Sequence, residues 1–390
     1  MAETLNMMEI SVDRFVNEIK LDLEDENYDP VIGIGKSGVG KTMSIYELTQ
    51  ELGIGFCELR LVTLTETDML GIPDVKVNPD GSRTTTYASN DLLPVASRDG
   101  EEGILVLDEI TSATSTIRAA AYQLLDSKRA LGNYKLPPKW KVIALGNGPD
   151  DGGVFQGMES AFLSRATCYR IEPNLESWKK WAIKNGVNPT IIAYLTFDPT
   201  MLHVFNPDEI ASVFPCPRSW TALSKKLNAR EKRCSNGILA TEQVELYAAG
   251  AIGKDVASKF AGFYEYNGET IAPEDILSGA SNGEVVDRLQ PEVVYLVIQQ
   301  VIRQLNTELG AGRLGLGEFK PECTKRAANV AHWLIAAGNK KLDYAVTGIR
   351  DLQEGVALFN EMVLLNIDFD DMCPELMIFA DRHGLIFSSN

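Results

Sequence analysis

The chain has 390 residues, 45% hydrophobic and 23% charged, a globular composition long enough to bury a core without disulfide or metal staples. Asp plus Glu number 54 against 37 Lys plus Arg, and the resulting formal charge of −17 repels phosphate backbones and argues against bulk nucleic-acid binding. Six cysteines without a CxxC pair and only three histidines speak against a zinc knuckle or a disulfide framework. No run approaches the roughly 18 to 20 uncharged apolar residues that span a bilayer. The start, MAETLNMMEISVDRF, lacks a basic segment followed by an apolar one, so no signal peptide is expected. These features together predict a cytoplasmic protein with reduced thiols and no membrane span.

In chain order, Val12, Phe15, Val16 and Ile19 fall at helical spacing behind Ser11 as N-cap, which predicts an amphipathic first helix. The acidic loop 24–30 follows. Then five short apolar runs read as strands: VIGI from Val31, FCELRLV from Phe56, GILVLDEI from Gly103, KVIALGN from Lys141 and TCYRI from Thr167. Their β-branched content without clean alternation fits strands covered on both faces, as in a parallel sheet. Helical stretches lie between several of them, notably 41–52 and 116–127, so the pattern is that of a doubly wound α/β domain. Beyond about Asn174 helical patterns dominate: 177–185, 218–230, 241–249, 254–266, 292–309 closed by Gly310, 323–337 and 344–365, with a turn at 235–237.

Gly35, Lys36, Ser37, Gly38, Val39, Gly40, Lys41 and Thr42 fit G-x-x-x-x-G-K-[ST] in full, after a predicted strand and opening a predicted helix. Three glycines let successive N–H groups turn inward onto a polyphosphate, and the helix N-terminus adds its dipole. In this pattern Lys41 neutralises the β- and γ-phosphates of ATP, and the Thr42 hydroxyl takes one position on Mg²⁺. The run Gly103–Leu107 drives Asp108 and Glu109 to the C-terminal edge of the sheet, where ligands bind in open α/β folds. Asp108 would hold Mg²⁺ and Glu109 would polarise the attacking water. Asn147 ends another strand, either orienting the same water or simply forming a turn ahead of Gly148 and Pro149.

Together these residues resemble the AAA+ ATPase superfamily, and its MoxR branch in particular. Thr63–Gly71 resembles the segment that follows the second strand in MoxR proteins, and Leu131–Pro137 resembles their hairpin ahead of the sensor strand. The resemblance implies that Asn147 is the sensor amide. Ala161-Phe162-Leu163-Ser164-Arg165 resembles the element whose arginine reaches a neighbouring subunit's γ-phosphate, although Ser164 and Ala166 depart from the family's Asp and Phe. Pro217-Arg218-Ser219-Trp220 resembles the start of the lid, which implies that Arg218 is the sensor-2 arginine. The organisation implied is an N-terminal helix at 1–28, an AAA+ α/β domain with a parallel five-stranded sheet at 29–214, an all-α lid at 215–280 and a helical C-terminal extension at 281–390. A finger acting in trans implies self-assembly into a ring, most often a hexamer. The branch implies chaperone-like remodelling of a protein partner carrying a von Willebrand factor A domain. A nucleic-acid motor or defence ATPase is the alternative, and the acidic surface disfavours it. The basic cluster Lys225, Lys226, Arg230, Lys232 and Arg233 reads as a solvated helix face, with a partner or nucleic-acid patch as the other reading.

Overall fold

The computed structural model describes residues 7–88, 91–149, 151, 157–158, 160–206, 213–235 and 237–387. Asn236 of the expected 235–237 turn lies outside them. Two compact units form: one from the chain up to Asn174 with a short segment beginning at Phe205, the other from Leu175–Val204 and the residues after that segment.

The first unit is built on β1 (Met8–Ile10), β2 (Val31–Gly35), β3 (Gly55–Arg60), β4 (Glu102–Asp108), β5 (Lys139–Gly146) and β6 (Thr167–Ile171). They lie in the order β1-β6-β2-β5-β4-β3, every neighbouring pair parallel. The sheet therefore has six strands, not the expected five. Met8–Ile10 pairs with Tyr169–Ile171 just ahead of helix α1 (Val12–Glu24). Three residues, only one of them buried, are too few to show alternation, so the sequence alone reads this stretch as part of the approach to the helix.

Strand β4 shows why the apolar runs do not alternate. Ile104 and Val106 join Phe15 and Ile19 of α1 and Ile45 and Leu48 of α2 (Lys41–Leu52) on one face. Leu105 and Leu107 join Ile117, Ala121 and Leu125 of α3 (Ser115–Leu125) on the other. All four β4 side chains are fully buried, each contributing about 2 kcal/mol of transfer free energy. At the base of the sheet, Lys141 is also fully buried. Its ammonium donates to the carbonyls of Asn27 at 3.1 Å and Asp29 at 2.7 Å and pairs with Asp22 at 2.9 Å. Burial holds its pKa below the usual lysine value, with Asp22 opposing, and the contacts fasten the acidic loop to β5.

The second unit is helical around one continuous apolar cluster that runs from Trp178 to Leu385. The expected helices form, with differences that have plain causes. Helix Pro291–Gly312 runs through Gly310 to Gly312, whose missing Cβ leaves room for Cys323 Sγ. The expected 344–365 helix breaks at Val356 into Leu342–Gly355 and Ala357–Leu365. Helix Pro189–Phe197 is unforeseen because residues 189–195 are all buried, leaving no polar face to reveal a helical period. A buried ion pair, Lys179 to Asp351 at 2.8 Å, is completed by Gln299 Nε2 donating to the other Asp351 oxygen at 2.6 Å. Burial pushes the Asp351 carboxyl up while Lys179 and Gln299 oppose it. Among the described residues no helix is long and apolar enough to cross a membrane.

One packing constraint in the first unit is sharp. The parallel register sets Gly55 beside Gly103 and Gly103 beside Trp140. The buried indole lies over both glycines, so a Cβ on Gly103 would sit 2.7 Å from Trp140 Cζ2 and 2.7 Å from the Gly55 carbonyl. We expect Gly103→Ala to lower stability in urea unfolding by about 1–3 kcal/mol; an unchanged midpoint would show that the sheet yields there at no cost.

Candidate functional site

Strand β2 ends at Gly35, and residues 36–40 turn into α2, which begins at Lys41. The turn depends on glycine in two ways. Gly38 and Gly40 have φ of 77° and 104°, a left-handed backbone that side chains resist. A Cβ on Gly35 would lie 2.2 Å from the Ile171 carbonyl of neighbouring β6, so only glycine permits the strand to run flush to the turn. Lys41 is nearly buried, and its ammonium donates to the carbonyls of Gly35 at 2.7 Å and Lys36 at 2.9 Å. It also donates to Asn147 Oδ1 at 3.2 Å, across the sheet edge. Lys36 itself pairs outward with Glu172 at 3.5 Å.

The register of the sheet assembles the rest. Ile34 pairs with Gly146, so Asn147 emerges beside Gly35; Leu107 pairs with Ala144, so Asp108 emerges one strand further along. The Thr42 hydroxyl donates to Asp108 Oδ2 at 2.8 Å. Two hard oxygen donors thus face each other across one hydrogen bond, a donor set that fits Mg²⁺. Glu109 follows with φ of 58°, left-handed for a residue with a side chain, at a cost on the order of 1–3 kcal/mol. Three bonds hold the turn there. Glu109 N–H donates to Asp108 Oδ1 at 2.8 Å, Ile110 N–H to the Leu145 carbonyl at 2.9 Å, and Ser112 N–H to the Glu109 carbonyl at 3.0 Å. Thr111, fully buried, bonds to the main chain of Asn147.

Arg165 follows the short helix Ser160–Leu163 and is half-exposed. Its Nε lies 3.8 Å from Asp126 Oδ2, and its guanidinium sits 5.9 Å from the Phe162 ring centroid. That ring stacks on Tyr122 of α3. The Asp126 carboxyl is held below its usual range by the Ser127 hydroxyl first, then the Lys128 N–H and Arg165. Arg218 belongs to the other compact unit, exposed in the first turn of helix Pro217–Glu231. The segment 63–71 forms a short helix, Glu66–Leu70, closed by a Thr65–Asp68 capping box, and Ala130–Leu131 with Tyr134–Lys135 form the expected hairpin. Sequence reasoning missed a second hairpin, Ile72–Val77 with Arg83–Ala88, and it missed Thr111. No local signal marks Thr111, because its partner lies 36 residues away.

Residues 30–166 match the AAA domain family, dynein-related subfamily. Among solved structures, the chain is similar to Hsp104 in a closed-state cryo-EM reconstruction with ATPγS and FITC-casein: 17% identity, 45% of this chain and 36% of that chain covered, TM-score 0.34. It is also similar to a Cytophaga hutchinsonii protein described as an ATPase: 12% identity, 98% and 92% covered, TM-score 0.31. The chain thus spans about a third of the matched Hsp104 chain's length. The family match over residues 30–166 and the phosphate loop within them fit an AAA+ P-loop domain, an α/β core followed in this chain by a helical region.

The loop geometry carries its own test. No atom would crowd a Cβ at Gly40, so Gly40→Ala acts only through its φ of 104°, a strain of about 1–2 kcal/mol. ATP affinity measured by titration should fall about tenfold, and unaltered affinity would mean that the left-handed backbone is not required.

Proposed function

We propose that this protein hydrolyses ATP in an oligomeric ring and uses the cycle to remodel or activate a partner protein. The observation that carries the reading is the convergence of Lys41, the Thr42–Asp108 pair and Asn147 at one edge of the sheet. Phosphoryl transfer to water asks little covalent chemistry of an enzyme; it asks for placed charge and a placed nucleophile. Lys41 offsets charge on the β- and γ-phosphates. Thr42 and Asp108 would hold Mg²⁺, which neutralises phosphate oxygens when bound. Glu109 accepts the proton of the attacking water and Asn147 orients it. Arg165, half-exposed, completes the site of an adjoining subunit, and Arg218 couples nucleotide state to the lid.

The MoxR branch fits the segment 63–71 and the hairpin at 130–135, and with it comes a von Willebrand factor A partner. In this reading 29–214 works as the nucleotide domain, 215–280 as the lid and 281–390 as an extension. The ring is hexameric and cytoplasmic, where its six unbridged cysteines stay reduced.

Two substitutions separate binding from turnover. Lys41→Ala removes charge-assisted bonds worth about 2–3 kcal/mol, so ATP binding should weaken roughly a hundredfold. Glu109→Gln should keep ATP affinity and lose turnover by about a hundredfold or more. Phosphate release at the parental rate from the Glu109→Gln protein would remove Glu109 from the chemistry.

A further inference from the structure

We propose that Thr111 is the positioning residue that fixes Asn147 relative to Asp108 and Glu109, a role that rests on the hydrolysis reading above. Its hydroxyl accepts from the Asn147 N–H and donates to the Asn147 carbonyl, both at 3.0 Å. One oxygen thereby uses its single proton and one lone pair on the two main-chain groups of a single residue. Thr111 is fully buried, so water does not compete for either bond.

The clamp is keyed into the sheet. A Cβ on Gly146 would lie 2.7 Å from Thr111 Cγ2 and 2.8 Å from its Oγ1, so the hydroxyl reaches Asn147 only because the preceding residue is glycine. One residue earlier, the Ile110 N–H bonds the Leu145 carbonyl at 2.9 Å. The strained turn that carries Glu109 is therefore fastened to the end of β5 at two successive residues, and the second fastening ends on Asn147 itself. With both main-chain groups held, the freedom left to Asn147 is that of its side chain. Its Oδ1 now accepts from Lys41 at 3.2 Å. When the ammonium turns to phosphate, the amide is released to the γ-phosphate and the attacking water, from a backbone that does not move. Thr111 touches neither reactant. It acts through Asn147.

The test compares Thr111→Val, which keeps the shape and loses both bonds, with Thr111→Ser, which keeps the hydroxyl. Both are made in the parental and Asn147→Ala backgrounds, with steady-state turnover and fluorescent ATP and ADP binding as readouts. Misplacement of a water-orienting group costs roughly tenfold to a hundredfold, so Thr111→Val should lose that much kcat with ADP affinity held within about twofold. Thr111→Ser should restore most of the rate. In the Asn147→Ala background the valine change should add nothing further. Parental kcat in Thr111→Val, or the same loss in both backgrounds, would overturn the proposal. Thr111→Ala, which also loses both bonds and leaves more room at Gly146, carries the same comparison if the valine protein does not fold. If the parental protein binds ATP without hydrolysing it, the hydrolysis reading fails separately. The clamp is then read from the ratio of ATP to ADP affinity, expected to fall in Thr111→Val to the Asn147→Ala value. An unchanged ratio, or no nucleotide binding by the parental chain, overturns the clamp as well.

Discussion

A lysine ammonium enclosed by protein must be met by acceptors on every side, and around Lys41 that requirement dictates the form of the site. Two of its acceptors are carbonyls of its own loop and another is the Asn147 amide. The loop offers those carbonyls because Gly38 and Gly40 take left-handed backbone and because Gly35 can lie flat against the Ile171 carbonyl. Without the glycines the ammonium would be desolvated and unmatched, a cost of several kcal/mol. The same enclosure that taxes the lysine makes its charge effective on a phosphate, since little water screens it.

The second half of the site follows from register. Parallel pairing fixes how far each strand runs, and β2, β5 and β4 deliver Gly35, Asn147 and Asp108 to one edge. The chain then spends conformational energy at Glu109, whose left-handed φ turns the backbone directly after Asp108. Strain at a functional residue persists only where the surroundings over-determine it. Here the surroundings are the bonds from Ile110 and Thr111 to the end of β5. In the proposed reaction, pre-organisation of this kind would let the groups act on a triphosphate without reorganising at the moment of reaction.

Much of this was legible in the sequence because its determinants are local. The loop at 35–42 carries its glycines, lysine and threonine consecutively, and the four-residue run Ile104–Leu107 announces a strand buried on both faces. What escaped lacks a local signature. Met8–Ile10 is too short to show a period, and its partner strand lies at Tyr169–Ile171. Pro189–Phe197 is buried all round and so has no amphipathic stripe. The hairpin from Ile72 exposes Ile72, Val75 and Val77, so no core-facing alternation marks it. Thr111 resembles any threonine three residues after a strand; only the fold brings it to Asn147.

In the function proposed above, ATP is hydrolysed in a site that one chain cannot finish, with Arg165 supplied by a neighbour. The direct measurement is phosphate release per chain with saturating ATP and Mg²⁺ across a wide range of protein concentration. Turnover per chain is then expected to climb with concentration and level off as assembly completes. Turnover per chain that is constant at every concentration, or absent throughout, would contradict it.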